Sequence, residues 1–476
     1  MEKNVNFRII PERTIIRNDT VSEIDIVIEI IATSEYQVEE SSKTNLNLAL
    51  VIDRSGSMSG EKLETAKNSC IEIFKRLKNE DFLTIIVYDD EAEVIINPLT
   101  KREDVIEKIT KIETGGMTNL SLGWYLGLLE LQTYLESNKI NKLILLSDGL
   151  ANAGETKKST IGNQASKSRE EFGIITSTIG IGDDFDEELL EIISNESGGR
   201  FWYIQNSNIN EIIEEEFVGT LNIILDNPKV ELNLGKGIKI SKELNTLRKV
   251  SNKYSMGPIT GNYDNGFAIR LEFDPKEIKE QAEISAKLFN RNQEISSTNL
   301  SLKIDSFANY TQTPVNQEVL AVVQKFEKST TEEELIAKVD EGDFDFMKSM
   351  IIKEVAGMKK VVDAFEDQRK KDMYAKEQLD LENMSYVPEI LKKIQNLDFE
   401  KYGAEFHSLI MHFKKSLKCQ SHRNMNYHMR HYNDDSIQID LLERLSFILE
   451  NLIEDNPNDS ELKTLKKEID ERLGSY

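Results

Sequence analysis

The hydrophobic residues of this chain follow three different spacings along its length. In residues 4–40, apolar and polar positions alternate, most clearly between Ile24 and Ile30, and this two-residue period is typical of half-buried strands. Short alternating segments separated by turn residues return in residues 222–310. Because an isolated hairpin is only marginally stable, we expect the strands of both segments to form one small β-sandwich.

Between these segments, apolar runs of strand length alternate with stretches of helical spacing. Leu46–Asp53 is a continuous apolar run, which favours a strand buried on both faces of a parallel sheet. Further strands are predicted at Phe82–Tyr88, Ala92–Ile96, Lys142–Leu146, Gly173–Gly182 and Arg200–Ile204. Helices are predicted at Glu61–Leu77, Val105–Ile112, Leu120–Leu135, Ser159–Phe172, Asp186–Ile193 and Ile209–Leu221. This alternation predicts a doubly wound α/β domain inserted into the β-sandwich, with an antiparallel hairpin at one edge of its sheet.

From residue 313 the spacing is helical to the end of the chain. A Thr-Glu-Glu-Glu sequence at residues 331–334 precedes apolar residues and predicts a capping box, the start of a helix. Apolar residues recur at helical spacing in 346–365, a charged stretch covers 368–383, and further helical segments are predicted at 388–397, 399–417, 437–453 and 460–473. Three units are therefore expected: a β-sandwich from residues 1–41 and 222–312, the α/β domain at 42–221, and a C-terminal helical region at 313–476.

This pattern places a group of oxygen-bearing side chains at one edge of the predicted α/β sheet. Three lie in an Asp-Arg-Ser-Gly-Ser loop after the first buried strand, one in a Gly-Gly-Met-Thr-Asn loop before a helix, and one in the Ser-Asp-Gly that ends another strand. The candidates are Asp53, Ser55, Ser57, Thr118 and Asp148. Because open α/β sheets place ligands at the carboxyl ends of their strands, we expect these side chains to converge. An all-oxygen set with two carboxylates suits a hard cation such as Mg²⁺ and leaves coordination positions open.

Several segments of the chain resemble a known family. Residues 50–58, 115–120 and 145–149 resemble the three metal loops of von Willebrand factor type A (VWA) domains, and residues 178–190 with 198–204 resemble the C-terminal part of many bacterial members. The resemblance implies a doubly wound, Rossmann-like VWA domain with a metal-ion-dependent adhesion site (MIDAS). The five candidates above would hold Mg²⁺, or Mn²⁺ or Ca²⁺, with the aspartates often acting through water. The β-rich segments before and after the domain give an arrangement similar to that of inter-alpha-trypsin-inhibitor heavy-chain-like proteins and their bacterial relatives.

The amino-acid composition indicates which classes of partner this protein can bind and in which cellular compartment it is expected. The 476 residues carry a formal net charge of −25, with 39% hydrophobic and 30% charged residues. An excess of negative charge disfavours phosphate backbones and anionic membranes as partners, and no apolar run approaches the roughly 18 residues of a membrane helix. The two cysteines exclude a disulfide framework, and the first residues do not resemble a signal peptide. We therefore expect a cytoplasmic protein, with residue usage that suggests a bacterial source.

A second group of candidate ligands lies in the C-terminal region. All five histidines fall within residues 407–431, and Cys419, His422, His428 and His431 form two Cys/His-x-x-His pairs. Zinc favours thiolate and imidazole ligands, although the spacing matches no recognised finger. The stretch 412–431 is also basic in an otherwise acidic chain. Three interpretations are open: a structural or intramolecular role, contact with a partner or nucleic acid, and a zinc site.

These patterns favour a binding function over catalysis. No phosphate-binding loop is present, and the α/β domain contains no histidine to act as a general base. The favoured hypothesis is a cytoplasmic adaptor or scaffold that binds an Asp or Glu of a partner protein through the metal, with a second contact from the helical region and no membrane partner. One alternative is a regulatory component of a bacterial defence or AAA+ ATPase-linked system whose helical tail binds nucleic acid or another effector. Another is a Mg²⁺-dependent phosphatase.

Overall fold

The computed structural model describes residues 5–32, 45–396 and 435–474, with gaps at 137, 152, 183, 205–208, 246, 251 and 262–263, and parts of 401–417. The strands, in chain order, are β1 (Val5–Pro11), β2 (Ile15–Arg17), β3 (Ser22–Ala32), β4 (Asn45–Asp53), β5 (Phe82–Tyr88), β6 (Ala92–Ile96), β7 (Lys139–Ser147), β8 (Ile174–Ile181), β9 (Phe201–Ile204), β10 (Ile223–Leu225), β11 (Pro228–Leu234), β12 (Ile238–Glu243), β13 (Arg248–Val250), β14 (Lys253–Ser255), β15 (Ile259–Thr260), β16 (Asp264–Phe273), β17 (Gln281–Asn290) and β18 (Gln293–Asp305).

The helices fall into two sets, one within the inserted domain and one after the last strand. The first set is α1 (Glu61–Arg76), α2 (Val105–Thr110), α3 (Leu120–Thr133), α4 (Lys158–Phe172), α5 (Glu187–Ser197) and α6 (Ile209–Leu221). The second set is α7 (Phe307–Gln312), α8 (Gln317–Glu341), α9 (Phe344–Ala364), α10 (Gln368–Met384), α11 (Tyr386–Gln395), α12 (Asp435–Asp455) and α13 (Ser460–Leu473). Among the residues described, every helix is either too short or too polar to span a bilayer.

The α/β domain is built on a six-stranded sheet in the order β6-β5-β4-β7-β8-β9. Neighbouring strands are parallel except β5 and β6, which form the expected antiparallel hairpin. The central strand β4 is apolar throughout because both of its faces are covered. Leu48, Leu50 and Ile52 belong to the core beneath α1 and α6, whereas Ala49 and Val51 belong to the core beneath α3, α4 and α5.

The β-sandwich draws its strands from both sides of this inserted domain. Its four-stranded sheet has the order β1-β3-β16-β12, and β3 pairs antiparallel with β16 along its whole length. Its six-stranded sheet has the order β13-β14-β11-β17-β18-β2, in which β2 pairs parallel with β18. Apolar side chains from the two sheets, such as Ile28 and Leu288, form one core. The predicted fold class, a doubly wound domain inserted in a β-sandwich and followed by helices, is confirmed.

The start of the long helix α8 differs from the sequence-based expectation. The helix begins after Asn316, whose side chain accepts hydrogen bonds from the amides of Glu318 at 3.0 Å and Val319 at 3.4 Å. The predicted start at Thr331 is wrong, because that residue lies inside the helix, where the amides that a cap would bind are already paired. Instead, Thr331 Oγ1 donates to Glu354 Oε1 of α9 at 3.0 Å.

Helix α8 joins the β-sandwich to the helical region. Its first half packs on the outer face of the four-stranded sheet, where Val323 and Phe326 share a cluster with Val27 and Ala268. Its second half enters the core that α9–α13 form. The outward-facing Val27 of β3 is therefore buried beneath a helix rather than exposed, which the alternating pattern of that strand did not indicate.

Contacts between the inserted domain and the β-sandwich lie at the amino-terminal edge of the parallel sheet. Lys229 of β11 forms an ion pair with Glu170 near the end of α4, with Nζ and Oε2 2.7 Å apart. Arg291 donates to the carbonyl oxygen of Lys139, the first residue of β7, at 3.4 Å. The carboxyl ends of the strands lie at the opposite edge of the sheet, away from these contacts.

A glycine at the end of the sheet gives a direct test of this packing. A Cβ atom on Gly199 would lie 1.8 Å from the carbonyl oxygen of Thr176, and main-chain atoms cannot move aside as a flexible side chain can. We expect Gly199→Ala to lower the free energy of unfolding by about 2–3 kcal/mol. Urea unfolding followed by tryptophan fluorescence measures it, because Trp124 and Trp202 are both buried in this domain.

Gly219→Ala is the matched control, since a Cβ atom there, in helix α6, would meet only Arg200 Nη1 at 3.9 Å. Alanine is favoured over glycine inside a helix by roughly 0.5–1 kcal/mol, so the control should unfold at equal or higher urea concentration. An unchanged midpoint for Gly199→Ala would show that the turn after α5 can relax.

Candidate metal centre

The five predicted ligands lie at the carboxyl edge of the sheet, as the order of elements requires. Asp53 is the last residue of β4, and a single 3₁₀ turn at Gly56–Met58 follows it before α1 begins. Thr118 precedes α3, whose cap residue Asn119 accepts a hydrogen bond from the amide of Leu122. Asp148 directly follows β7. Three loops from neighbouring strands therefore supply the candidate ligands.

Hydrogen bonds connect four of these five residues. Asp53 Oδ1 accepts from the amide of Ser55 at 2.8 Å. The hydroxyl oxygens of Ser55 and Ser57 lie 3.1 Å apart, and Ser57 Oγ donates to Asp148 Oδ1 at 2.6 Å. Asp53 is thus connected to Asp148 through the amide and hydroxyl of Ser55 and the hydroxyl of Ser57, and the oxygens converge at one edge of the sheet.

Thr118 reaches the same place because Gly149 has no side chain. A Cβ atom on Gly149 would lie 2.8 Å from Thr118 Oγ1 and 3.6 Å from Ser57 Oγ. Any other residue at this position would therefore push into the oxygen cluster. All five predicted ligand side chains belong to one site, with Asp53, Ser55, Thr118 and Asp148 buried and Ser57 exposed at its mouth.

Main-chain bonds and an arginine hold the first two loops together. The amide of Gly115 donates to the carbonyl oxygen of Arg54 at 2.7 Å, and the amide of Gly56 donates to Gly116 at 3.2 Å. The Arg54 guanidinium also donates to Asp89 Oδ2 at 3.0 Å. Partial burial would raise the pKa of Asp89, but hydrogen bonds from the Glu91 amide and Arg54 lower it. Sequence reasoning missed this ion pair because it carries no periodic signal.

Without a bound metal, the negative charge of the Asp53 carboxylate is unfavourable. Its side chain is fully buried, and burial, reinforced by the charge of Asp148, raises its pKa to about 6. Hydrogen bonds from Ser55 and from Ser147 Oγ, which lies 3.1 Å from Asp53 Oδ2, offset part of this effect. A divalent cation at this position would stabilise the ionised carboxylate that burial disfavours.

Two further side chains complete the surroundings of the site. Lys62, in the first turn of α1, forms an ion pair with Asp148, with Nζ 2.6 Å from Oδ2. Tyr88, at the end of β5, donates its buried hydroxyl to the carbonyl oxygen of Leu146 at 2.9 Å. Burial and the neighbouring charge of Asp53 hold the pKa of Tyr88 well above its ordinary value. Lys62 thus pairs with one carboxylate and Tyr88 lies near the other, and neither was predicted as part of the site.

The chemistry of these residues fits a hard divalent cation. The donors are two carboxylates and three hydroxyls, and oxygen ligands of this kind suit Mg²⁺, Mn²⁺ and Ca²⁺. In the described part of the chain, no group of three or more His, Cys, Asp or Glu side chains could hold a metal. The candidate centre thus depends on serine and threonine hydroxyls in addition to its two carboxylates.

Comparison with known proteins agrees with this geometry. Residues 47–215 match the family model of the von Willebrand factor type A domain. The chain contains a VWA domain. Such domains bind a divalent metal at a MIDAS and commonly mediate protein–protein interaction, and the matched range contains all three loops described above.

The relatives found by sequence match part of this chain and part of their own length. The chain is 29% identical over 208 residues to the uncharacterized protein sll0103 of Synechocystis sp., which covers 43% of this chain and 48% of that protein. It is 25% identical over 191 residues to YfbK of Escherichia coli, covering 39% and 33%. It is 34% identical over 125 residues to human inter-alpha-trypsin inhibitor heavy chain H3, covering 24% and 14%. The chain thus spans about half or less of these relatives.

Two solved structures share the fold beyond the VWA domain. A von Willebrand factor type A protein of Catenulispora acidiphila aligns with a TM-score of 0.59 at 14% identity, over 78% of this chain and 89% of that one. The VWA2 protein of Sulfolobus acidocaldarius, described as a paralog of ArnB, aligns with a TM-score of 0.53 at 13% identity, over 88% and 99%. At these identities the likeness concerns the fold alone.

The second candidate site lies outside the described residues. Cys419, His422, His428 and His431 all fall there, as does most of the basic stretch 412–431. Zinc at these four residues and nucleic-acid contact by the basic stretch therefore stay predictions.

Replacing Asp53 by asparagine tests the charge balance of the metal centre. The pKa of Asp53 in the folded protein is about 6 and exceeds its unfolded value of about 3.9. Its contribution to stability is therefore complete below the unfolded pKa and is lost as pH rises through about 6. Without metal near neutral pH, Asp53→Asn should raise the free energy of unfolding, by at most about 3 kcal/mol.

Millimolar Mg²⁺ should raise the melting temperature of the wild type near neutral pH, less so at about pH 5, where protons compete for Asp53. The Asp53→Asn variant should show no such increase. Asp184→Asn, which removes an exposed carboxylate after β8, is the matched control and should respond as the wild type does. Equal responses of the wild type and Asp53→Asn would remove Asp53 from the ligand set.

Lys62 gives a second test, because its ammonium group is bound to Asp148 Oδ2, a carboxylate oxygen that a cation at the site would also approach. Two positive charges repel at this separation, so Lys62→Met should tighten Mg²⁺ binding by roughly tenfold in titration calorimetry. Lys75→Met, on the exposed face of the same helix, should leave the affinity unchanged. Weaker binding by Lys62→Met would instead mean that the lysine orients Asp148 for the metal.

Proposed function

We propose that this protein is a metal-dependent adaptor or scaffold that binds a partner protein through its VWA domain. In this proposal Asp53, Ser55, Ser57, Thr118 and Asp148 hold Mg²⁺, or Mn²⁺ or Ca²⁺ in its place. An Asp or Glu side chain of the partner completes the coordination. The metal supplies a positive charge, and the hydrogen bonds that connect the three loops hold its ligands in place.

The observation that carries this proposal is the shape of the site. Asp53 and Asp148 lie at a buried floor, while Ser57 and the glycines at 115 and 116 are exposed around its mouth. A cation held at this floor would be approachable through the exposed mouth. Two carboxylates and three hydroxyls leave coordination positions open, and a partner carboxylate could fill one of them from the exposed mouth.

Binding rather than catalysis is part of the proposal. Both carboxylates of the cluster are assigned to the metal, and of the titratable side chains beside them Lys62 is paired with Asp148 and the buried Tyr88 hydroxyl donates to Leu146. General acid–base catalysis needs a further group within hydrogen-bond reach of the substrate, and none of the VWA domain's residues is a histidine. We therefore propose a protein without enzymatic activity at this site.

A cytoplasmic location is proposed on composition. The two cysteines lie far apart in sequence, and Cys70 is a buried, free thiol within helix α1. A reducing compartment suits such usage. A link to a bacterial defence or AAA+ ATPase system stays a prediction, because the basic part of the tail on which it depends lies outside the described residues.

Affinity capture from the native host tests the proposal. The full chain is used as bait in Mg²⁺, in EDTA, and as the Asp53→Asn variant in Mg²⁺, with Asp184→Asn as the matched control. Loss of a desolvated charged contact commonly costs about 2 kcal/mol or more, so a direct partner should fall by at least tenfold in EDTA and with Asp53→Asn. It should be retained by Asp184→Asn.

An identical set of captured proteins under all conditions would contradict metal-dependent binding. A phosphatase assay on the same preparations examines catalysis. Mg²⁺-dependent turnover that disappears in Asp53→Asn would replace the adaptor by an enzyme.

A further inference from the structure

Three large apolar side chains are exposed around the candidate metal centre. Met117 is 63% exposed, Leu150 is 54% exposed and Leu122 is 41% exposed. Met117 immediately precedes the ligand Thr118, and Leu150 follows the Asp148-Gly149 pair. Leu122 lies in the first turn of α3, the helix that directly follows the loop with Thr118. We call these three residues the apolar rim.

The loops that carry the apolar rim are fastened to each other. Glu155 N, in the loop after Leu150, donates to Ser121 Oγ of α3 at 2.9 Å. A Cβ atom on Gly154 would lie 2.2 Å from Asn119 Oδ1, so the two segments are in close contact. The third loop therefore lies against the start of α3, and Leu150 and Leu122 both belong to the surface beside the metal ligands.

Other apolar residues beside the same ligands are buried, so exposure of the apolar rim is not a general property of these loops. Met58 and Leu120, which stand next to the same ligands in sequence, are fully buried in the two cores of the domain. A single exposed apolar residue is ordinary in a protein surface. Three of them around one polar centre instead mark an interaction surface.

Charge limits the kind of partner that this surface accepts. Asp90 Oδ1 accepts from the amide of Met117 at 3.2 Å, which places a carboxylate beside the rim. The whole chain carries a net charge of −25. Additional acids on a partner would be repelled here, whereas one acid at the metal with apolar neighbours would meet matching chemistry on both counts.

We propose that the partner of this site is a protein segment in which one Asp or Glu is flanked by large apolar side chains. This inference rests on the proposed function, since the acid binds the metal. The flanking side chains pack on Met117, Leu122 and Leu150 and exclude water from the metal–carboxylate contact. Water exclusion strengthens that contact and makes it the centre of the interface.

A panel of synthetic, fluorescently labelled peptides of equal length tests the inference on the full chain. One peptide has a central Glu between leucines, a second has it between serines, a third carries Gln between leucines, and a fourth carries several consecutive acids. In Mg²⁺ the first should bind at least tenfold more tightly than the second. The Gln peptide, and every peptide in EDTA, should show no binding by fluorescence polarisation.

Replacement of Met117 and Leu150 together by serine should reduce the preference between the first two peptides to about twofold or less. The Mg²⁺-induced increase in melting temperature should be unchanged in this variant, which shows that it folds and holds metal. Leu99→Ser is the matched control, since Leu99 is 79% exposed but lies in the loop after β6, and should keep the full preference.

Two kinds of outcome separate this inference from the function on which it rests. Mg²⁺-dependent binding of both Glu peptides with equal affinity, strongest binding of the multiply acidic peptide, or a preference retained by the double variant would overturn the apolar rim alone. No Mg²⁺-dependent binding of any acidic peptide would contradict carboxylate recognition by the metal centre itself.

Discussion

The carboxylate of Asp53 is held where no part of its side chain reaches solvent, and the surrounding loops are arranged around that charge. Burial of an ionised group is costly unless hydrogen bonds or an opposite charge compensate it. Here the amide of Ser55 and the hydroxyl of Ser147 compensate part of the cost. The ammonium group of Lys62 is paired with the other aspartate. A bound dication would compensate the remaining charge of Asp53, whose pKa burial raises to about 6.

The same constraint explains why glycines occur at defined points of the site. Hydroxyls from different strands can surround one cation only if the main chains approach closely. At Gly115 a Cβ atom would overlap the carboxylate of Asp89, and at Gly149 it would press on Thr118. Gly149 therefore leaves room for the candidate ligand Thr118, and Gly115 leaves room for Asp89, which pairs with Arg54 of the first loop.

The arrangement of the domains leaves this edge of the sheet accessible. The β-sandwich contacts the amino-terminal edge, through Lys229 with Glu170 and Arg291 with Lys139. The helical region is attached through α8 to the outer face of the sandwich, where Phe326 packs with Val27. The metal centre and the helical region are thus carried on different faces of the sandwich frame.

The sequence alone determined the order of elements, the doubly wound sheet and the five candidate ligands, because each follows from local spacing. A continuous apolar run such as β4 requires cover on both faces, and ligands at strand ends follow from the parallel order. Tertiary structure alone decided the ion pairs of Arg54 with Asp89 and of Lys62 with Asp148, and the burial of Val27 beneath α8. It also showed that α8 begins after Asn316 and not at the predicted Thr331. These features depend on contacts between residues distant in sequence, and a residue's own neighbours carry no signal of them.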